Sequence, residues 1–121
     1  MRIADAVRFY SAIHARWDAA RLKADFDACG LRESFEVRRM KRAYQRALVL
    51  ALACAALPEM LVVENAEEFD EAPAAALLAA AIARGPSALA TFGGDARPAA
   101  DLASAFDEIV PAAGYRARVL A

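Results

Sequence analysis

The sequence predicts an α/β fold: a helical front half over residues 1–57, then a small parallel β-α-β-α-β sheet over residues 58–121, together one domain. Three observations predict it. Apolar residues recur at helical spacing as far as Leu57. After Pro58, short apolar runs alternate with alanine-rich stretches, the rhythm of parallel strands joined by crossover helices. The charge changes sign at the same boundary, from 11 basic and 6 acidic residues before it to 4 basic and 10 acidic after it.

The elements follow in order. Ile3, Val7 and Tyr10 mark a first helix over Ile3 to Ile13. A second runs from about Asp18 to Cys29, with Leu22 and Phe26 as its apolar face and Gly30 as its C-terminal stop. The segment from Ser34 to Met40 is polar and carries no clear period. Lys41 to Leu57 reads as one long helix, basic at its start and apolar all round in its second half, hence buried. Pro58 ends it. Met60 to Val63 reads as a buried strand, followed by an acidic loop from Glu64 to Glu71. Pro73 opens an alanine-rich helix that ends near Arg84. Ser87 to Phe92 forms the next strand, Pro98 to Ala105 a short helix and Glu108 to Val110 a third strand, with a turn at Gly114.

Composition bounds the chemistry. The 121 residues carry 15 basic and 16 acidic side chains, so no basic excess points to nucleic acid. Alanine supplies about a quarter of the chain, which suits ordered helices and not disorder. The two cysteines, Cys29 and Cys54, sit within helical patterns and read as small buried hydrophobes. His14 is the only histidine, so neither a zinc site nor a histidine-based triad has its parts. Trp17 and Tyr10 read as packing residues. No signal peptide or bilayer-length apolar run is present, and the expected setting is cytoplasmic.

The order of features from Gln45 to Glu64 is specific: a basic helix start, an alanine-leucine helix, Pro58-Glu59, a four-residue apolar strand and an acidic residue. This resembles the ATP-binding cassette (ABC) ATPases, in which a signature helix leads into the Walker B strand. The match extends back to Arg8–Asp18 and to Cys29–Leu31, which look like the helical subdomain of certain bacterial exporter cassettes. It extends forward to Ser87–Phe92, similar to the strand before the switch histidine, and to Phe106–Val110 with Gly114, similar to a late strand of the family. The resemblance covers nearly the whole chain and implies the C-terminal two-thirds of such an ATPase, truncated before the signature-helix subdomain.

The departures from the family pattern decide the expected chemistry. The five glycines and the two lysines, Lys23 and Lys41, form no phosphate-binding loop. The stretch matching the family signature is Met40, Lys41, Arg42, Ala43 and Tyr44, where a lysine replaces the serine and side chains replace glycines. At the Walker B position Glu64 stands for the metal-linked aspartate. It ends a strand, where open parallel sheets bind ligands, and is the best candidate for any residual Mg²⁺ contact, a weak one without phosphates to share the metal. Asn65 stands for the catalytic glutamate, and an amide cannot act as a general base. Gly93-Gly94 offers no switch side chain.

The resemblance thus implies a degenerate domain with no catalytic residue, metal or cofactor of its own, acting through protein contacts as a regulatory or structural partner of an ABC export system. Its expected partners are a second copy of itself or an ABC-type ATPase or permease, with a membrane reached only through the permease and no nucleic acid. The alternative is a half-enzyme, in which a separate chain supplies the phosphate loop and Lys41 and Arg42 act on its terminal phosphate. The two charged regions are expected to meet within one molecule or across a dimer.

Overall fold

The computed structural model describes residues 1–84, 87–91 and 117–119. Four α-helices dominate them: α1 (Ile3–Ile13), α2 (Ala19–Cys29), α3 (Arg42–Ala55) and α4 (Ala74–Arg84). Three short strands accompany them, β1 (Met60–Val63), β2 (Ser87–Thr91) and β3 (Ala117–Val119), with 3₁₀ turns at Val37–Arg39 and Ala66–Glu68.

Local chemistry sets the helix ends. The Asp18 carboxylate accepts from the Arg21 amide at 2.9 Å, satisfying one of the free N–H groups at the start of α2. Gly30 closes α2 in the left-handed region at φ 73°, which a residue without Cβ adopts at no steric cost. The chain then returns to extended form, with the Leu31 amide on the Phe26 carbonyl at 2.9 Å. α3 ends sooner than its pattern predicts, at Ala55. Leu57 takes φ 54°, and its carbonyl accepts from the Arg16 guanidinium.

The expected parallel β-α-β-α-β sheet does not form. Helices hold most of the described residues, and the sheet is small and mixed in direction. Its order is β1-β2-β3. β2 runs parallel to β1, with Met60 beside Ser87 and Val63 beside Ala90, and α4 is the crossover between them. β3 runs antiparallel, with Leu89 beside Val119 and Thr91 beside Ala117. The third strand of the described sheet is Ala117–Val119. The expected strand at Glu108–Val110, the helix over Pro98–Ala105 and the turns at Gly93-Gly94 and Gly114 lie outside the described residues.

Two burial expectations also change. β1 is not buried on both faces: Leu61 and Val63 point inward while Met60 and Val62 are exposed, the alternation of a strand packed on one side only. α3 is not buried all round, because Val49 is 62% exposed. Its inward face carries Ala47, Leu48, Ala51, Leu52 and Ala55, and the helix packs chiefly against α2 and α4. Five of the eleven buried positions of α3 and α4 are alanine, namely Ala47, Ala51, Ala55, Ala74 and Ala81, and Leu78 is fully enclosed. Small side chains allow two helices to approach closely. No helix among the described residues is long and apolar enough to cross a membrane.

Cys29 and Cys54 are buried and unpaired, as their positions in the helical pattern imply. Burial raises both thiols above their ordinary value of 9.0, with the charge of Asp25 acting in the same direction. The unfolded chain therefore releases these protons first as pH rises past about 9, and stability present below that pH is lost above it. We expect the melting temperature to decline as pH rises above about 9, less steeply in Cys54→Ala, as thermal melts of the two proteins will show. An equal slope in both would assign the decline to other groups.

Candidate functional site

The candidate residues lie at the start of α3 and the end of β1. α3 begins where the 3₁₀ turn Val37–Arg39 redirects the chain, and the Gln45 amide holds that turn by donating from Nε2 to the Val37 carbonyl at 2.9 Å. Lys41 occupies the N-cap, and its carbonyl accepts from the Tyr44 and Gln45 amides at 3.0 Å each. Its side chain makes no capping bond, and the first turn holds no acid. A lysine at the cap and Arg42 beside it put two positive charges on the positive end of the helix dipole, an unfavourable arrangement.

Met40, Lys41 and Tyr44 share a cleft of about 730 Å³ with Arg2, Gly30, Ser34, Phe35, Glu36 and Arg39. The cleft exists because the N-terminus is drawn back onto the polar segment before α3. The Ile3 amide donates to the Phe35 carbonyl at 2.9 Å, the Val37 amide donates to the Met1 carbonyl at 3.0 Å, and Arg2 bridges to Glu36. Glu36 binds both Arg38 at 3.1 Å and Arg39 at 3.2 Å, so one carboxylate serves two guanidiniums. Arg42 turns the other way. It lines a second cleft with Gln45, Arg46, Val49, Glu68 and Phe69. Ala43 is half-buried and lines neither.

Glu64 and Asn65 follow β1 and line neither cleft. Glu64 is exposed. Asn65 takes the left-handed conformation at φ 53°, which asparagine tolerates better than most residues, and its carbonyl accepts from the Glu68 amide at 2.9 Å to start the turn Ala66–Glu68. Among the described residues, no three carboxylate, thiol or imidazole side chains converge on a point that could hold a metal ion.

A further polar group is one that the sequence pattern conceals. Asp25 is 3% exposed on the inner face of α2. Its Oδ1 accepts from Arg84 of α4 at 3.3 Å, and its Oδ2 lies 3.9 Å from Nε of Arg21. The signal that could have found it is its place in the stripe Leu22, Asp25, Phe26, Cys29, spaced i, i+3, i+4, i+7.

The strained cap offers a direct test of what Lys41 is for. Lys41→Asp supplies the missing acceptor and an acid at the positive helix end, and should stabilise the fold by about 1 kcal/mol, seen as a higher urea midpoint. If stability rises while partner binding is lost, the lysine is kept for contact and not for folding. Compared with protein-family models, curated proteins and solved structures, the chain matches none.

Proposed function

We propose that this chain is a non-catalytic relative of the ABC ATPase domain that acts through protein–protein contacts, as a regulatory or structural partner of an ABC export system. One observation carries the reading. The strand that resembles Walker B runs into Glu64 and Asn65, and the place of the catalytic carboxylate is held by an amide in the left-handed conformation, heading a tight turn. An amide there cannot take a proton from water. Support also comes from the chain order around it: a basic helix start, the alanine-leucine α3, then β1, the crossover α4 and a parallel β2. The proposed setting is cytoplasmic, with a membrane reached only through a permease and no cofactor bound.

Isothermal titration of the chain with Mg²⁺-ATP tests the loss of chemistry, and the reading expects no binding up to millimolar nucleotide. Co-purification from the native host tests the partner. Recovery of a cassette subunit or permease supports the reading, and repeated recovery of neither would sink it.

The exposure of Lys41 and Arg42 favours a second reading, the half-enzyme, because both cations are free to reach a phosphate held by another chain. That reading requires ATPase activity on mixing with a chain that bears a phosphate loop, abolished by Lys41→Ala. Unchanged activity in the variant would remove it.

A further inference from the structure

The cleft of about 730 Å³ before α3 carries a charge that its own walls do not balance. Arg2, Arg39 and Lys41 line it against a single acid, Glu36. That acid is already committed, since it holds Arg38 at 3.1 Å and Arg39 at 3.2 Å. Arg2 and Lys41 are exposed, and among the described residues neither makes an ion pair. The same walls carry apolar surface: Phe35 is 37% exposed, and Met40 and Tyr44 are half-buried. The backbone that presents these groups is held in place by the bonds from the Ile3 amide to the Phe35 carbonyl and from the Val37 amide to the Met1 carbonyl, so little ordering is left to a ligand.

We propose that this cleft binds an acidic segment of a partner protein, its carboxylates on Arg2 and Lys41 and one apolar or aromatic side chain of the segment packed on Phe35, Met40 and Tyr44. Charge complementarity calls for an anion. Residue type calls for a protein. Arginine, tyrosine, phenylalanine and methionine are enriched at protein interfaces, and Arg2, Phe35, Arg39, Met40 and Tyr44 are five of the nine described residues that line the cleft. A nucleic acid is the wrong partner, because Glu36 stands among the cations and repels a continuous line of phosphates. A peptide can space its carboxylates to avoid it. The inference rests on the reading of this chain as one that acts through protein contacts, and it names the chemistry of one such contact.

Fluorescence anisotropy of a short labelled peptide, with glutamates flanking a central phenylalanine, measures this contact on the full chain, and amide NMR shifts locate it. The peptide is expected to bind with a dissociation constant below about 1 mM and to shift the amides of Arg2, Phe35, Lys41 and Tyr44. Raising the salt from ~50 mM to ~500 mM should weaken binding about fivefold or more. Arg2→Gln combined with Lys41→Gln should weaken it about tenfold, while Lys41→Arg, which keeps the charge, should stay within about twofold. Phe35→Ser should cost about fivefold, as should serine in place of the peptide's phenylalanine. The backbone bond to the Phe35 carbonyl survives that substitution, and circular dichroism melts check that every variant is folded. Arg42→Gln removes the same charge from the other cleft and should leave binding within about twofold.

Absence of binding at millimolar peptide overturns the inference, as does binding that Arg42→Gln weakens as much as the cleft variants do. Tighter binding of an oligouridylate or of phosphatidylserine vesicles through Arg2 and Lys41 overturns it too. If the peptide fails to bind while a cassette or permease still co-purifies, the proposed function stands without this contact. If the peptide binds as described and no such partner is recovered, the site stands and the proposed partnership falls.

Discussion

Leu78→Ala should lower the free energy of unfolding by about 4 kcal/mol, toward the upper part of the range for enclosed leucines. Leu78 has no exposed surface and sits in α4 against the core that α3 centres. The cost of such a truncation depends on how far neighbours can move into the space left behind. Here five of the eleven buried positions of the two helices are alanine (Ala47, Ala51, Ala55, Ala74 and Ala81), whose single methyl groups cannot change rotamer to fill it. The cavity should persist. Urea unfolding of the wild type and variant measures the loss as a shift in midpoint at constant slope. Leu78→Met, which keeps the volume, should cost less than about 1.5 kcal/mol. A cost below about 2 kcal/mol for the alanine variant would mean that α3 and α4 slide together to close the gap.

Asp25→Ala is the second large effect, at about 3 kcal/mol of lost stability. The carboxylate lies between Arg21 and Arg84, and the Arg21 Nε and Nη2 atoms are buried without a hydrogen-bond partner in the described structure. Removing the carboxylate leaves the Arg21 charge desolvated and uncompensated, the costly way to break a buried ion pair. The value stays at the low end for such pairs because the Arg84 side chain is half exposed and can turn to water. Converting Arg21, Asp25 and Arg84 together to apolar residues of similar size should recover most of the loss. If the single variant costs under about 1 kcal/mol, water already reaches the carboxylate and the network carries little of the fold.

Those two sites show how far the sequence alone reaches. The front helices are legible in it because their signals are local: apolar residues three and four apart, and Gly30 as a stop. β1 and β2 are legible as short apolar runs bounded by Pro58 and by Gly85-Pro86. The direction of the third strand is not, because it depends on the path of the chain and leaves no mark in the strand's own residues. Uniformly apolar runs hide orientation in the same way. Nothing in Met60-Leu-Val-Val63 says which two side chains face out, and nothing in the second half of α3 singles out Val49. Asp25 is a different kind of miss, an inward position occupied by a charge, which local pattern can flag but only its two arginine partners explain.

The candidate site divides similarly. Lys41 and Tyr44 can be placed at a helix start from sequence. Their cleft requires the long-range pairing of Arg2 with Glu36, which no local pattern encodes. Glu64 and Asn65 come at the end of β1 as the strand pattern implies, yet they line neither the cleft of Lys41 nor that of Arg42, which sequence spacing could not have told.

The alanines buried on α3 and α4 also shape how the fold responds to temperature. Each buried alanine removes little apolar surface from water, and it gives up no rotamer freedom on being buried. Separating the two helices therefore exposes less apolar area at these five positions than five leucines would expose. These five positions thus add less to the heat capacity of unfolding than five leucines would. Cooling then weakens this helix pair less than it would a core packed with larger side chains.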